Sequence, residues 1–554
     1  MIRNDLPRSL IDNPMLDSWV GFEGEDGSEG VVRLGTGKVE LGQGVLTALR
    51  QIAADELQVA LDRIRIVSGE TGLSPEEGLT AGSQSIEASG GAIRFACAEV
   101  RALAAACAAD RLGCDAGALS IRDGHFMREE AATGESYWSL GGRLDLHRQA
   151  TGSAPPRRRD DASLVGRSVP RIDLPEKLYG PGFIHDLRPD GMLHARVVRT
   201  PYSGASIATV DAGRIERAAG SPVTIVRIHD FLAIAGEDEA AVDRALEVAA
   251  HAVSWSGTPA AKPQHADPRH LLGLTTIDRL VPAPPPRSAG SAGTGRIVEA
   301  TFTRPYIAHA SIGPSCALAL WDGHGLTVWS HSQGVGPLRK SIARTLKLDA
   351  SAVTLKHRPG AGCYGHNGAD DVALDAALVA RACPGRPIRV RWTREDELSA
   401  APVGGASVVN LRAELDASGR PASWSMAIWS PPHGQRPGAN GGINLLAELA
   451  LPDREQSGGS DDVPDAAGGG GNRNSVALYD LPQQHILHHL VTAPPLRTSS
   501  LRGLGAQANV FAIECFIDEL AAAVGRDPVQ YRLDLMSDPR ARRVIEAAAA
   551  MSPW

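Results

Sequence analysis

Cysteine is sparse and never closely paired in this sequence: Cys97, Cys107, Cys114, Cys316, Cys363, Cys383 and Cys515 are scattered, and no two stand as Cys-x-x-Cys. An odd, dispersed set argues against a disulfide framework, a structural zinc site or an iron–sulfur cluster held by these residues. Long apolar runs are also missing. None approaches the roughly 18 to 20 residues that cross a bilayer, and Met1-Ile-Arg-Asn-Asp-Leu-Pro-Arg-Ser-Leu10 has no apolar core of the secretory kind. The expected compartment is the cytoplasm, with export alongside a signal-bearing partner left open. Basic excess is absent too: 56 Lys and Arg against 64 Asp and Glu give a net charge of −8, no electrostatic footprint for nucleic acid. There is no Walker-type Gly-Lys-Ser/Thr. Gly360-Ala-Gly-Cys-Tyr-Gly365 fits Gly-x-Gly-x-x-Gly, but no acidic residue follows about 20 positions later to hold a ribose, so ordinary nucleotide binding is the weaker reading.

What is present is a soluble-type composition, 43% hydrophobic and 22% charged, over 554 residues. At about 150 residues per domain, that length predicts three or four domains. The first spans residues 1–150. Thr151-Gly-Ser-Ala-Pro-Pro-Arg-Arg-Arg-Asp-Asp161 reads as an exposed linker (151–162), and short β-like runs with a helix from Glu239 to Ala252 make a second unit at 163–256. A proline- and glycine-rich linker (257–296) leads to a third unit at 297–554, with strands at Glu299–Tyr306, Gly325–Ser330 and Pro387–Trp392. Its helices are expected at Pro337–Leu346, Asp370–Ala382 and Asn509–Val524. Between Gln456 and Asn472, Ser457-Gly-Gly-Ser-Asp-Asp462 and Ala466-Ala-Gly-Gly-Gly-Gly471 read as a mobile surface loop.

Glycine clusters with embedded polar side chains stand out. In Gly35-Thr-Gly-Lys-Val-Glu-Leu-Gly-Gln-Gly-Val-Leu-Thr47 a strand meets a glycine turn and then a helix with apolar Val45, Leu49, Ile52, Ala53 and Leu57. Free amides at such a helix start attract anions, and Gly42 and Gly44 let a ligand approach the main chain. The same pattern also suits a tight turn that binds nothing. Leu79-Thr-Ala-Gly-Ser-Gln-Ser-Ile-Glu-Ala-Ser-Gly-Gly91 precedes another helix, from Ala92 to about Leu112, either as a second ligand stretch or as its N-cap. Further clusters are Ser330-His-Ser-Gln-Gly334 with Gly360-Ala-Gly-Cys-Tyr-Gly-His-Asn-Gly-Ala-Asp-Asp371, and Leu496-Arg-Thr-Ser-Ser-Leu-Arg-Gly-Leu-Gly-Ala-Gln-Ala-Asn509. Asp370 and Asp371 are expected to cap the helix after them.

Together these segments resemble the molybdopterin-binding large subunit of the xanthine dehydrogenase and aldehyde oxidase family, in the branch typified by the isoquinoline 1-oxidoreductase beta subunit, where the Gly-Gln-Gly segment lies near the N-terminus. The resemblance implies a multidomain α+β subunit with a small α/β hammerhead domain at 163–256. It implies a molybdenum–molybdopterin cytosine dinucleotide whose dithiolene holds the metal, so the protein supplies no metal ligand. Gln333 and Arg502 take the catalytic positions, beside the oxo group and the dithiolene. Cofactor contacts fall on Gly42, Gln43, Gly44, Thr80, Ser83, Ser85, Ser89, Gly362, Cys363, Tyr364, Gly365, Gly503 and Gln507. Cys363-Tyr-Gly-His-Asn367 and Leu504 depart from the purine hydroxylases, which puts xanthine in doubt and leaves an N-heteroaromatic ring or an aldehyde as substrate. The implied activity inserts water-derived oxygen with help from a glutamate base, and sends electrons to a small [2Fe–2S] subunit and on to a cytochrome or flavin acceptor. That base lies in a family Gly-x-Gly-Glu segment absent from these residues; Glu25, Glu70, Glu135 and Glu237 do not match it. The expectation is therefore a catalytic subunit completed by a further part or partner, or else a cofactor-binding chain without catalysis.

Overall fold

The computed structural model describes residues 6–24, 30–259, 261–286, 291–435, 444–452 and 461–552. It is an α+β protein built on several sheets. Strands Val20–Glu23, Val31–Thr36 and Ile64–Ser68 form the first, antiparallel and then parallel. A parallel pair needs a crossover, and the helix Val45–Leu57 supplies it, starting where the apolar periodicity placed it. That helix shares one core with the helix Gly91–Leu112, in which Leu49, Ala53, Ile93, Ala96 and Val100 are buried with Val32 and Leu34.

The segment after residue 150 is fixed to this unit by buried carboxylates. Glu99 accepts the amides of Thr151 and Gly152, and Glu56 accepts that of Arg157. Asp55 accepts the consecutive amides of Ser163, Leu164 and Val165. The stretch read as a linker, together with the first residues of the unit after it, is thus a strap on the helix Val45–Leu57, and Arg171 beyond it puts Nη1 on the Gly42 carbonyl at 2.9 Å. Burial pushes the Asp55 carboxyl up, but the amides of Val165, Ser163 and Leu164 outweigh it and hold it below its ordinary value. A depressed folded value means that this stabilisation is complete above the unfolded value of about 4 and fades as pH falls through the folded one. Asp55→Ala is expected to cost about 2 kcal/mol near neutral pH. The deficit should shrink in acid, read by denaturant unfolding at pH 7 and pH 3; an unchanged midpoint at pH 7 would show that the strap is held otherwise.

A seven-stranded sheet runs in the order Val353–His357, Leu326–Ser330, Cys316–Trp321, Ile388–Arg391, Leu193–Val197, Phe231–Gly236, Val223–Ile228. Ile388 pairs with Leu193 in parallel, so strands distant in sequence share one ladder. Against it pack the helices Val335–Thr345 and Ala369–Ala382, the latter buried through nearly its whole length. The helix Glu239–Ala252 matches its predicted span. A five-stranded sheet follows the order Thr276–Leu280, Gln484–Val491, Pro421–Ser430, Ser407–Leu415, Arg296–Arg304, backed by the helix Ala506–Ala523. Its first strand comes from the stretch 257–296, where proline and glycine had suggested only a linker.

Residues 464–468 of the predicted surface loop are exposed, but the glycines that follow, 469–471, are not at the surface. Gly469, Gly470 and Gly471 are buried, Asp462 takes the Gly471 amide at 2.7 Å, and a Cβ on Gly505 would lie 2.2 Å from the Gly471 carbonyl oxygen. Glycine is needed there because the main chain packs directly against the start of the last long helix. The predicted loop at 457–460 and part of the Ser288–Gly295 run fall outside the described residues.

Candidate functional site

The sequence segments converge through main-chain bonds. Thr80 N donates to the Gln333 carbonyl at 2.7 Å, and Gln333 Nε2 returns to the Thr80 carbonyl at 3.0 Å. Thr80 Oγ1 accepts Val39 N at 2.9 Å, and Gln43 Nε2 donates to the Val39 carbonyl at 3.1 Å. Gly42, Gln43, Gly44, Thr80 and Gln333 are therefore tied together through Val39, with Thr80 itself buried. The N-terminal unit also docks on the edge strand Val353–His357, where His357 N donates to the Gly69 carbonyl at 2.8 Å and Thr71 N to Leu355 at 3.0 Å.

A second junction joins the other two clusters. Gly365 bridges Leu501, Arg502 N donates to the Tyr364 carbonyl at 2.7 Å, and His366 N to the Ser500 carbonyl at 2.8 Å. Gly365 has φ +122°, and a Cβ there would stand 2.0 Å from the Ser500 carbonyl oxygen. Gly362, at φ +116°, lies against Ser311, Ile312 and the Tyr364 hydroxyl. Cys363 Sγ turns to the Gly365 carbonyl at 3.5 Å. At the loop's start, a Cβ on Gly360 would collide with His331, a side chain 2% exposed whose pKa burial lowers to about 4. A neutral imidazole thus fills the space beneath the loop. Arg502, Gly503 and Gln507 are exposed, and the described residues give the Arg502 guanidinium no ion pair. Leu504 adopts φ +53°, its carbonyl held by Arg304 Nη1 at 2.8 Å.

The Gly-Gln-Gly turn differs from the expected open anion site. Glu40, 2% exposed, accepts the amides of Gly42 at 2.9 Å and Gly44 at 2.8 Å, so an anion would have to displace a buried carboxylate to reach them. The exposed faces of Gly42 and Gln43 are what this turn offers a ligand. Of the second stretch, Ser83 is exposed at φ +60° and Ser85 half-buried, while Ser89 is fully buried between Thr36 and Glu77 at 2.9 Å each. Lys38, whose pKa burial lowers, donates to the carbonyls of Glu77 and Leu79 and so fixes the loop that carries Thr80. Asp370 and Asp371 lie inside the first helical turn rather than capping it: Asn367 Oδ1 takes the Ala369 amide, Asp370 faces His366 at 2.9 Å, and Asp371 pairs with Arg497 at 2.7 Å. Lys38, Glu40 and Glu77 are the functional neighbours that sequence reasoning missed. Lys38 and Glu40 stood inside the first glycine segment, and their alternation with it was the available signal.

This geometry suits a large anionic cofactor. Glycines bring main chain close where Cβ atoms would collide, no Cβ contact lies within 4 Å over Gly42 or Gly503, and the Arg502 guanidinium next to Gly503 in sequence is exposed and has no ion pair among the described residues. Two family models described as molybdopterin cofactor-binding domains match the chain, one over residues 25–154 and the other over 287–432 and 454–536. A nicotinate dehydrogenase subunit of Pseudomonas putida is 35% identical over 95% of this chain and 43% of its own length. The beta subunit of isoquinoline 1-oxidoreductase from Brevundimonas diminuta is 25% identical over 95% of this chain and 71% of its own. The chain thus spans less than half the length of the first relative. Among solved structures, Cu,Mo-CO dehydrogenase in its carbon monoxide reduced state shares the fold over 68% of this chain and 51% of that one, with TM-score 0.51 and 14% identity.

Proposed function

This chain belongs to the molybdopterin-binding subunits of the xanthine oxidase family, and from that premise we propose that it is the cofactor-holding part of a hydroxylase acting on an N-heteroaromatic ring or an aldehyde. The bound molybdopterin, in its cytosine dinucleotide form, would supply the two-electron redox chemistry that lets water-derived oxygen enter a C–H bond. Gln333 presents its amide from a position locked to Thr80, Arg502 offers an exposed cation to the anionic cofactor, and the Gly360–Gly365 loop admits it closely. A [2Fe–2S] partner and a cytochrome or flavin acceptor would carry the electrons away. The observation that supports this reading best is the double junction, Thr80 with Gln333 and Gly365 with Leu501, which gathers the separate glycine segments.

The carboxylate base is assigned to no glutamate here. Glu70 is paired with Lys356 at 2.6 Å, Glu135 with Arg111 at 2.7 Å and Glu237 with Arg386 at 2.9 Å; Glu25 lies outside the described residues. The base is then brought by a further segment or chain; the alternative reading is a cofactor-binding chain without catalysis. The test is turnover of isoquinoline and benzaldehyde by the native complex in 18O-labelled water. Label in the product is expected; product without it would contradict the hydroxylase, and a metal-loaded complex without turnover would favour the second reading.

A further inference from the structure

Burial keeps several interior histidines uncharged: it lowers His331 and His488 to about 4 and His357 to about 3. The partners of His331 and His488 call for no second ring proton. The Cys316 amide donates to His331 Nε2, and the Ser430 hydroxyl, 3.0 Å from His488 Nε2, can donate or accept. His309 is bonded differently. It is buried, with Nδ1 3.0 Å from the Pro402 carbonyl oxygen and Nε2 3.0 Å from the Ser500 carbonyl oxygen. A carbonyl oxygen has no proton to give, so both ring nitrogens must donate, and an imidazole that donates from both carries a positive charge. A neutral ring would set a lone pair against one of the two oxygens. Turning the ring over would put carbon at both.

The two carbonyls belong to different segments of the site. Val403–Gly404 pairs in parallel with Thr498–Ser499, and Ile307 and Gly404 exchange main-chain bonds at 3.2 and 2.8 Å. His309 therefore bonds the residue before one short strand and the residue after the other. The Ser500 oxygen also takes the His366 amide at 2.8 Å, beside Gly365, and two residues further on the Arg502 amide closes on the Tyr364 carbonyl at 2.7 Å. The ionisable groups on the segments that meet His309 have partners or carry no charge, apart from the exposed Arg502. His366 faces Asp370 at 2.9 Å, Arg497 pairs with Asp371 at 2.7 Å, and Arg394 donates to the Ser311 carbonyl at 2.6 Å. Burial pushes Tyr306 up to about 12 and pushes His433, whose carbonyl accepts the Ser500 hydroxyl, down.

We propose that His309 is a buried imidazolium that ties the Pro402 and Ser500 carbonyls together and so positions the segment carrying Arg502 for the anionic cofactor. The positioning role rests on the cofactor-binding reading; the charge on the ring does not. A proton held by the fold contributes stability that is complete below the unfolded histidine value of about 6.5 and is lost as pH rises through the folded one.

NMR of the full 554-residue chain, with 15N in the histidine rings and 13C in the proline and serine carbonyls, reads the ring directly and needs no variant. Near neutral pH one ring is expected to contact both a proline and a serine carbonyl and to carry a proton on each nitrogen. A single ring proton, or no ring bonded to both carbonyls, overturns the proposal. In urea, the stability gap between the native chain and His309→Gln should narrow as pH rises from 6 to 10, because the glutamine amide is uncharged throughout; a constant gap would mean that only packing was lost. Molybdenum-loaded native chain, produced in a host that makes the cofactor, should keep its metal about tenfold or more better than His309→Gln on dialysis at neutral pH. Equal retention overturns the positioning role. Native chain that never takes up molybdenum would instead sink the cofactor-binding reading and leave the ring measurement standing.

Discussion

Gly365→Ala is expected to destabilise the protein by about 3 kcal/mol or more and to abolish cofactor retention. Two costs combine. The backbone sits at φ +122°, where an L side chain is strained, and the new Cβ would meet the Ser500 carbonyl oxygen at 2.0 Å. That oxygen belongs to main chain fixed by the bond from His366 N at 2.8 Å, so it has no side-chain rotamer by which to yield. Relief requires the loop to part from residues 500–502, the junction that places Arg502 beside Tyr364. Gly503→Ala is the control: φ is +93°, but nothing lies within 4 Å of its Cβ, and a cost of about 1 kcal/mol is expected from backbone strain alone. Denaturant unfolding of both variants separates the cases, and equal losses would show that the Ser500 contact is unimportant.

Arg497→Ala is expected to be as damaging by a different route. Asp371 is fully buried, and Arg497 binds it with two bonds, at 2.9 and 2.7 Å, while also donating to the carbonyls of Asn444 and Ala400. Removing the guanidinium leaves a carboxylate in the core whose remaining donor among the described residues is the Leu446 amide, at 2.7 Å. Stranding one member of a buried pair costs about 3–5 kcal/mol. Arg497→Ala with Asp371→Asn should recover a substantial part of the loss, because the uncompensated charge goes while a polar group of similar shape stays. An Arg497→Ala variant as stable as the native chain in urea would mean that Asp371 finds another cation.

The elements were more legible in the sequence than their junctions. Apolar spacing located Val45–Leu57 and Ala369–Ala382 within a residue or so, because period 3.6 is a local property of residues that face one core. The roles of charged residues were not local. Asp55 and Glu56 stand among the apolar positions of the helix, and both are buried because a segment more than 100 positions later brings its amides to them. Glu40 likewise occupies the amides that the glycine turn had seemed to hold open for a ligand. Composition misled at the end of the Gly468–Gly471 run, where Gly470 and Gly471, expected in a solvent loop, instead permit close backbone packing against Gly505. At the site, Gln333 could be matched as a motif residue, but its reciprocal bonds with Thr80 depend on two units docking through the edge strand Val353–His357.

The most direct test of the central claim, that these glycine segments together hold the molybdenum cofactor, is the molybdenum content of this chain produced in a host that synthesises the cofactor, measured by elemental analysis on folded protein. About one metal per chain is predicted, falling to essentially none in Gly365→Ala. Folded native chain without molybdenum would contradict the account.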